Sequence, residues 1–245
     1  RATRRKQGST RALVALLAFV LGFATVPHRV CEREASKWFE GDRTKTDALA
    51  ADLERWTKKG GDLSTSSFHT GSSRFDGEWL FATYMMSAMG FGQLAIERGL
   101  PNDAATRAEN IARMETCLDA MLEPRVRAFE DHAWGNDALE TLHAAAGSTN
   151  DRGHVAYLGY AGLALALHRY ATKDTSRFTA MEEAVMAALA RRIEASPAGF
   201  VETYPREVYP VDNTAAYAAL AVHAHATNQP PSPALLRGLE AIREH

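Results

Sequence analysis

Apolar positions recur along this chain at three- and four-residue spacing over long stretches, and sustained period-two alternation is nearly absent. The spacing predicts short helices over 32–40 and 46–58, then a polar Gly/Ser/Thr stretch from Gly60 to Ser73. Three longer pairs follow: 75–98 with 102–122, 152–172 with 175–195, and 213–227 with 232–244. Helix-start signals mark several boundaries, among them Asn102-Asp103 after Pro101, Asp174 before Thr175, and Ser232 after Pro230-Pro231. Within each pair the two members differ. The first is apolar nearly all round, as from Trp79 to Phe91, Val155 to Leu167 and Thr214 to Val222. The second is amphipathic: Met181 to Ile193 sets Glu182, Glu183, Arg191 and Arg192 beside an aliphatic face.

A helix apolar on every side is buried, and an amphipathic one covers it. Such alternation predicts an all-α chain of helical hairpins, an α/α-toroid of the (α/α)6-barrel kind or an α-solenoid. Gly90, Gly92, Gly159 and Gly162 in the inner helices would let backbones approach closely. The inner helices recur at a pitch of about 50 residues, so three pairs fill about half of such a ring. The chain starts at Arg1 and stops at His245 inside a helical pattern, which fits a fragment.

The first thirty residues follow a different pattern. Arg1, Arg4, Arg5, Lys6 and Arg11 form a basic head, and the uncharged run Ala12 to Val26 ends at Pro27. This is the layout of a secretory signal or an N-terminal membrane anchor. The run falls short of the roughly 20 residues that a spanning helix prefers. The expected organisation is signal or anchor over 1–30, a helical lead-in and linker over 31–73, and the barrel domain over 74–245. The body is expected outside the cytoplasm.

Composition narrows the classes. With 46% hydrophobic and 24% charged residues the chain can bury a core, which excludes wholesale disorder. Its 28 basic and 30 acidic residues argue against a dedicated nucleic-acid binder. The net charge of -2 is an average over unlike parts, because the first 29 residues hold six basic side chains and no acid, leaving -8 on the rest. Cys31 and Cys117 cannot build a disulfide framework, and Cys117 is expected as a buried free thiol.

Chemistry-bearing residues collect in the segments that feed the inner helices, which would emerge on one rim. The first segment contains Asp76 and Glu78, which could face a pocket or cap the helix at Trp79. The second, 123–154, reads as one long loop holding His132-Ala-Trp134-Gly-Asn-Asp137 and His154. Trp134 could stack on a ligand or plug the core, and His154 could donate to substrate or be structural. The third is densest: Glu202, Glu207 and Asp212 offer carboxylates for proton transfer, while Tyr204, Tyr209 and Asn213 can orient a polar group. Capping of a helix near Thr214 by Asp212 or Asn213 is the alternative there. His168 is expected at a surface end, and His223 and His225 point to opposite sides of their helix. Neither zinc-protease, nucleophile-elbow, P-loop nor dinucleotide fingerprints occur, so a site without metal or cofactor is expected.

Several short motifs carry a resemblance. Trp134-Gly135 precedes a long polar loop, and Tyr157-Leu-Gly-Tyr-Ala-Gly-Leu163 opens the next inner helix. Ala195-Ser-Pro-Ala-Gly-Phe-Val201 ends an outer helix, and Asp212-Asn-Thr-Ala-Ala-Tyr217 opens another inner one. In order and spacing these resemble the linalool dehydratase/isomerase family of exported α/α-barrels. The resemblance implies an oligomeric, cofactor-free enzyme acting on an alcohol. It also puts Asp212, Thr203 or a near neighbour, and Tyr160 where that family has two cysteines and a histidine. Carboxylates, chiefly Asp212 and Glu202, are then expected to replace the thiols. Three functions stay open: a lyase or isomerase of an alcohol-type small molecule, a carbohydrate-active hydrolase or epimerase, and a non-enzymatic helical scaffold that binds a partner.

Overall fold

The computed structural model describes residues 2–58, 63–97, 104–173 and 176–244, with side chains from residue 14 onward. The starts at Asn102-Asp103 and Asp174-Thr175, the beginning of the Gly60–Ser73 stretch (60–62) and the side chains of the basic head lie outside the described residues. Among the described residues all regular structure is helical, and the sole β feature is a bridge between Tyr204 and Glu207. The chain divides into two compact units, Arg1–Asp52 and Leu53–His245.

In the first unit, helix α1 runs Ala2–Phe39, straight through Pro27 rather than ending there. Pro27 lacks the N–H that would bond the carbonyl one turn back, a defect an otherwise continuous helix tolerates. The predicted helix over 32–40 is therefore the end of α1 and not a separate element. The segment Val14–Phe39 is long and apolar enough to cross a membrane, and none of it is buried against protein. Leu16, Phe19, Leu21 and Phe23 stand exposed on all sides of it. Helix α2, Arg43–Thr57, begins at a turn where Asp42 Oδ1 accepts from Lys45 N–H at 3.1 Å. Glu34 accepts from Lys37 and Lys45, each at 2.7 Å, which lowers its pKa to about 2.

The second unit holds three helix pairs: α3 Ser73–Glu97 with α4 Ala104–Met121, α6 Val155–Thr172 with α7 Thr179–Ala195, and α8 Pro210–Ala226 with α9 Pro233–Glu244. Helix α6 lies between α3 and α8. Eleven of its residues are buried, Tyr157, Leu158 and Leu165 among them. The covering helices turn a single face inward, as with Val185, Met186, Leu189 and Ile193 of α7. Two corrections concern the connections. Residues 123–154 are not a plain loop: α5, Pro124–Trp134, and a 3-10 turn, Ala138–Thr141, occupy much of them. Helix α8 starts at Pro210, earlier than predicted, so Asp212 and Asn213 lie inside its first turn and Tyr209 takes the cap position.

His168, expected at the surface, is fully buried, with Nδ1 at 2.9 Å from Ser176 Oγ and Nε2 at 3.0 Å from Glu115. The helix carrying it is buried over most of its circumference, and His168 lies on the buried side, where polar side chains find partners inside. Arg169 and His223 converge in the same way on the buried Glu182, both at 2.9 Å.

Among the described glycines, the closest approach to another element's backbone joins α6 to α8. A Cβ at Gly159 would lie 2.7 Å from the Ala216 backbone nitrogen, closer than packed atoms allow. Gly90, in contrast, faces open space and serves no close approach. Gly159→Ala is expected to cost about 2 kcal/mol or more, because a backbone atom cannot swing aside as a side chain can. Gly90→Ala should be neutral or stabilising by up to about 1 kcal/mol through helix propensity. Urea denaturation of the two variants against the parent checks both.

Candidate functional site

The chain ends that feed α3, α6 and α8 meet around a cavity of about 430 Å³. Its apolar walls include Phe75, Phe81 and Met85 of α3, Phe129 of α5 and Val211 of α8. Its polar groups are Glu78, His154, Tyr160, Thr203, Tyr204, Tyr209 and Asp212. Phe81, Phe129 and Tyr157 pack on one another beneath it, with ring centroids 5.0–6.5 Å apart.

Local structure explains how each polar group arrives. The segment before α8 folds back on itself through the Tyr204–Glu207 bridge, so Tyr204 enters the cavity while Glu207 stays outside it. The Tyr204 hydroxyl donates to Glu78 in a short hydrogen bond, and Arg74 lies over the Tyr204 ring, 4.9 Å from its centroid. Burial and the Glu78 carboxylate raise the Tyr204 pKa, so the hydroxyl keeps its proton. Thr203 donates to Asp212 Oδ2 at 2.8 Å. Burial nevertheless raises the Asp212 pKa against that hydrogen bond, favouring the protonated acid.

His154 precedes α6 and caps it, with Nδ1 accepting from the Tyr157 backbone N–H at 3.1 Å. That contact leaves the proton on Nε2, a buried atom with no partner in the protein. The residue is 3% exposed, and burial together with the Arg74 charge lowers its pKa to about 3. A neutral imidazole N–H therefore sits at the wall of the cavity. Tyr160 lines the same space, with its pKa raised by burial and by Asp212.

Not every expected residue belongs here. Glu202 lines a different hollow, of about 660 Å³, together with Trp134, Arg152 and Arg192, so the structure does not join it to Asp212. Alternation along the extended segment turns successive side chains to opposite sides, sending Thr203 and Glu202 apart. Glu207 is exposed and accepts from the Tyr209 hydroxyl at 2.9 Å. Trp134 is buried, and its indole N–H donates to Thr203 O at 3.0 Å, so it fills the core and offers no open stacking wall. Asn213 is fully buried and bonds Val201 N–H, Val201 O and Tyr209 O at 2.7–3.0 Å, which pins the loop and leaves nothing for a ligand. Asp76 accepts from the Thr70 N–H and hydroxyl at the start of α3 and lines a separate hollow beside Arg125 and His132.

No family model, no curated protein and no solved structure matches this chain. The site is therefore defined by its own geometry. Of the residues named from the sequence, Tyr204, Tyr209 and, through the resemblance, Tyr160 line it, as do His154, Asp212 and Glu78, which the sequence left open between ligand contact and a structural or capping role. Sequence reasoning passed over the walls Phe75, Phe81, Met85 and Phe129, whose helical spacing gave only a burial signal. Cys117 is a free, buried thiol with its pKa pushed up to about 11 by burial, so it is no ready nucleophile.

The lowered pKa of His154 makes stability depend on pH. Below the ordinary histidine value near 6.5 the unfolded chain takes up a proton that the folded one refuses, so stability falls as pH drops toward about 3. His168, also lowered by burial, adds to the same trend. Between pH 6.5 and 5 the His154 share should reach about 2 kcal/mol. His154→Asn keeps a capping acceptor and should flatten the dependence over that interval, as urea midpoints at several pH values would report.

Proposed function

We propose that the cavity is the active site of a cofactor-free lyase or isomerase acting on a small, largely apolar alcohol. The observation that carries this reading is a mostly apolar chamber in which a carboxyl biased toward its protonated form, Asp212, shares the lining with a second carboxylate, Glu78. In a dehydration, Asp212 gives its proton to the substrate hydroxyl as the C–O bond breaks and water leaves. Glu78, oriented by Tyr204, takes the proton from the neighbouring carbon as the double bond forms. The neutral His154, whose Nε2–H has no protein partner, would have to turn slightly toward the cavity it lines to hydrogen-bond the substrate oxygen. Return of water at the other end of an allylic system would give isomerisation with the same groups.

Two further features support kinship with the linalool dehydratase/isomerase family. The three positions that the resemblance equates with its reactive residues, Thr203, Asp212 and Tyr160, line one cavity. The stacked helical pairs are also what half of an α/α-toroid would look like. The resemblance implies an assembly of several copies. On the same reading, the apolar N-terminal helix serves as export signal or anchor, with the helical body outside the cytoplasm. A carbohydrate-active reading of this cavity lacks the support of Trp134, which lines the other hollow with Glu202.

Incubation of the purified protein with a panel of tertiary and allylic alcohols, with products resolved by gas chromatography, tests the reading. Asp212→Asn and Glu78→Gln should each lower turnover by about 100-fold or more, the usual scale for a lost acid or base. Glu202→Gln should leave it within about twofold, since Glu202 faces another hollow. Full activity in Asp212→Asn would rule the mechanism out.

A further inference from the structure

A second polar cluster lies away from the cavity lining, where α5 ends. Gly135 adopts φ 73° there and turns the chain sharply, so that Asp137 comes back beside the last turn of the helix. One carboxylate oxygen from each of Glu130, Asp131 and Asp137 falls within 4.8 Å of the others. Glu130 is 0% exposed, and its Oε1 accepts from Ala138 N–H at 2.7 Å. Its Oε2 is buried with no hydrogen-bond partner. Asp131 Oδ1 and, in the same turn, Asn136 Oδ1 are likewise buried and without a donor.

Three buried acceptors with no donor in one short turn are costly, since each forfeits its hydration without replacement. Nearby cations do not cure this. Arg127 is committed to Asp137 and to the Leu122 carbonyl. Arg192 donates to Asp151 and Thr141, and its remaining buried nitrogen, Nη1, makes no hydrogen bond to any of the three acceptors. Arg127 offsets the charge of Asp137, and Arg192 in Coulombic reach of Glu130 offsets part of the rest, but neither supplies a donor to the orphaned oxygens, which a bound cation would. All available donors are oxygens, the set preferred by hard cations. The oxygens lie within the span that one cation bridges, and calcium takes irregular all-oxygen sets more readily than magnesium, which demands a near-ideal octahedron.

We propose that Glu130, Asp131, Asp137 and Asn136 form a structural binding site for a divalent cation of the calcium class. The ion would tie the end of α5 to the turn that follows, behind Phe129 and the buried Tyr157. Its role is independent of the chemistry proposed for the cavity.

Terbium, a calcium-sized ion whose emission is sensitised by a nearby indole, is a direct probe because Trp134 sits within this same turn. With the full-length protein, saturable terbium emission on tryptophan excitation is expected, displaced by calcium, and calcium should raise Tm relative to protein in chelator. Glu130→Gln and Asp131→Asn should each weaken terbium affinity by about tenfold or more, as loss of a charged ligand does. Two results would overturn the site. One is an unchanged Tm with no saturable emission in millimolar calcium or terbium, the mark of a proton shared between Glu130 and Asp131. The other is terbium binding that both variants leave intact, the mark of surface acids. If Glu130→Gln does not fold, the more exposed Asp131→Asn decides alone.

Discussion

The absence of a side chain at Gly159 governs the geometry of the helical body. It brings the α6 backbone onto Ala216 of α8, with no room for a methyl group between them. Contacts this close fix both separation and register, because neither backbone can yield as a rotamer would. The consequence reaches the cavity within one turn of helix. Tyr160 follows Gly159 directly, and Asp212 lies one turn before Ala216, so the same approach sets both on one lining. A wider spacing at this pair would separate the acid from the groups that surround it.

Buried polar groups then convert long connections into fixed structure. Trp134 holds the Thr203 carbonyl, and Asn213 closes three hydrogen bonds on Val201 and Tyr209. Arg191 and Arg192 grip Asp151, whose pKa they hold low despite its burial. Each of these bonds would be modest in water, but leaving any partner unpaired inside the protein is expensive. The connecting segments are therefore as determined as the helices, and Thr203, Tyr204 and His154 occupy defined places at their ends.

Electrostatics in the cavity follow from that rigidity. Desolvation moves Asp212 toward its neutral acid and His154 toward its neutral base. Tyr204 remains a donor held on Glu78. A carboxyl pushed toward its neutral form, an uncharged imidazole and a carboxylate held by Tyr204 thus line a chamber whose walls are largely aromatic and aliphatic. Preorganised groups of this kind need little rearrangement when charge develops on a bound molecule.

The sequence by itself determined the helical class, the three pairs and the division into buried and covering helices, because 3.6-residue periodicity is a local property written in each segment. It also identified the apolar N-terminal helix and the dense stretch from 200 to 213, though it could not see that α1 continues through Pro27. The roles of individual polar residues were decided only by the tertiary structure. Asn213 and Trp134 have the composition of ligand contacts, yet backbone partners claim their hydrogen-bonding atoms: the folded-back loop just before it for Asn213, and Thr203, far along the chain, for Trp134. Glu202 and Thr203 are neighbours in sequence, and the extended backbone sends them to different hollows. His168 reads as a surface residue until Glu115 and Ser176, from other parts of the chain, are brought around it. Burial and partnership depend on which distant segments arrive, and no local pattern encodes that arrival.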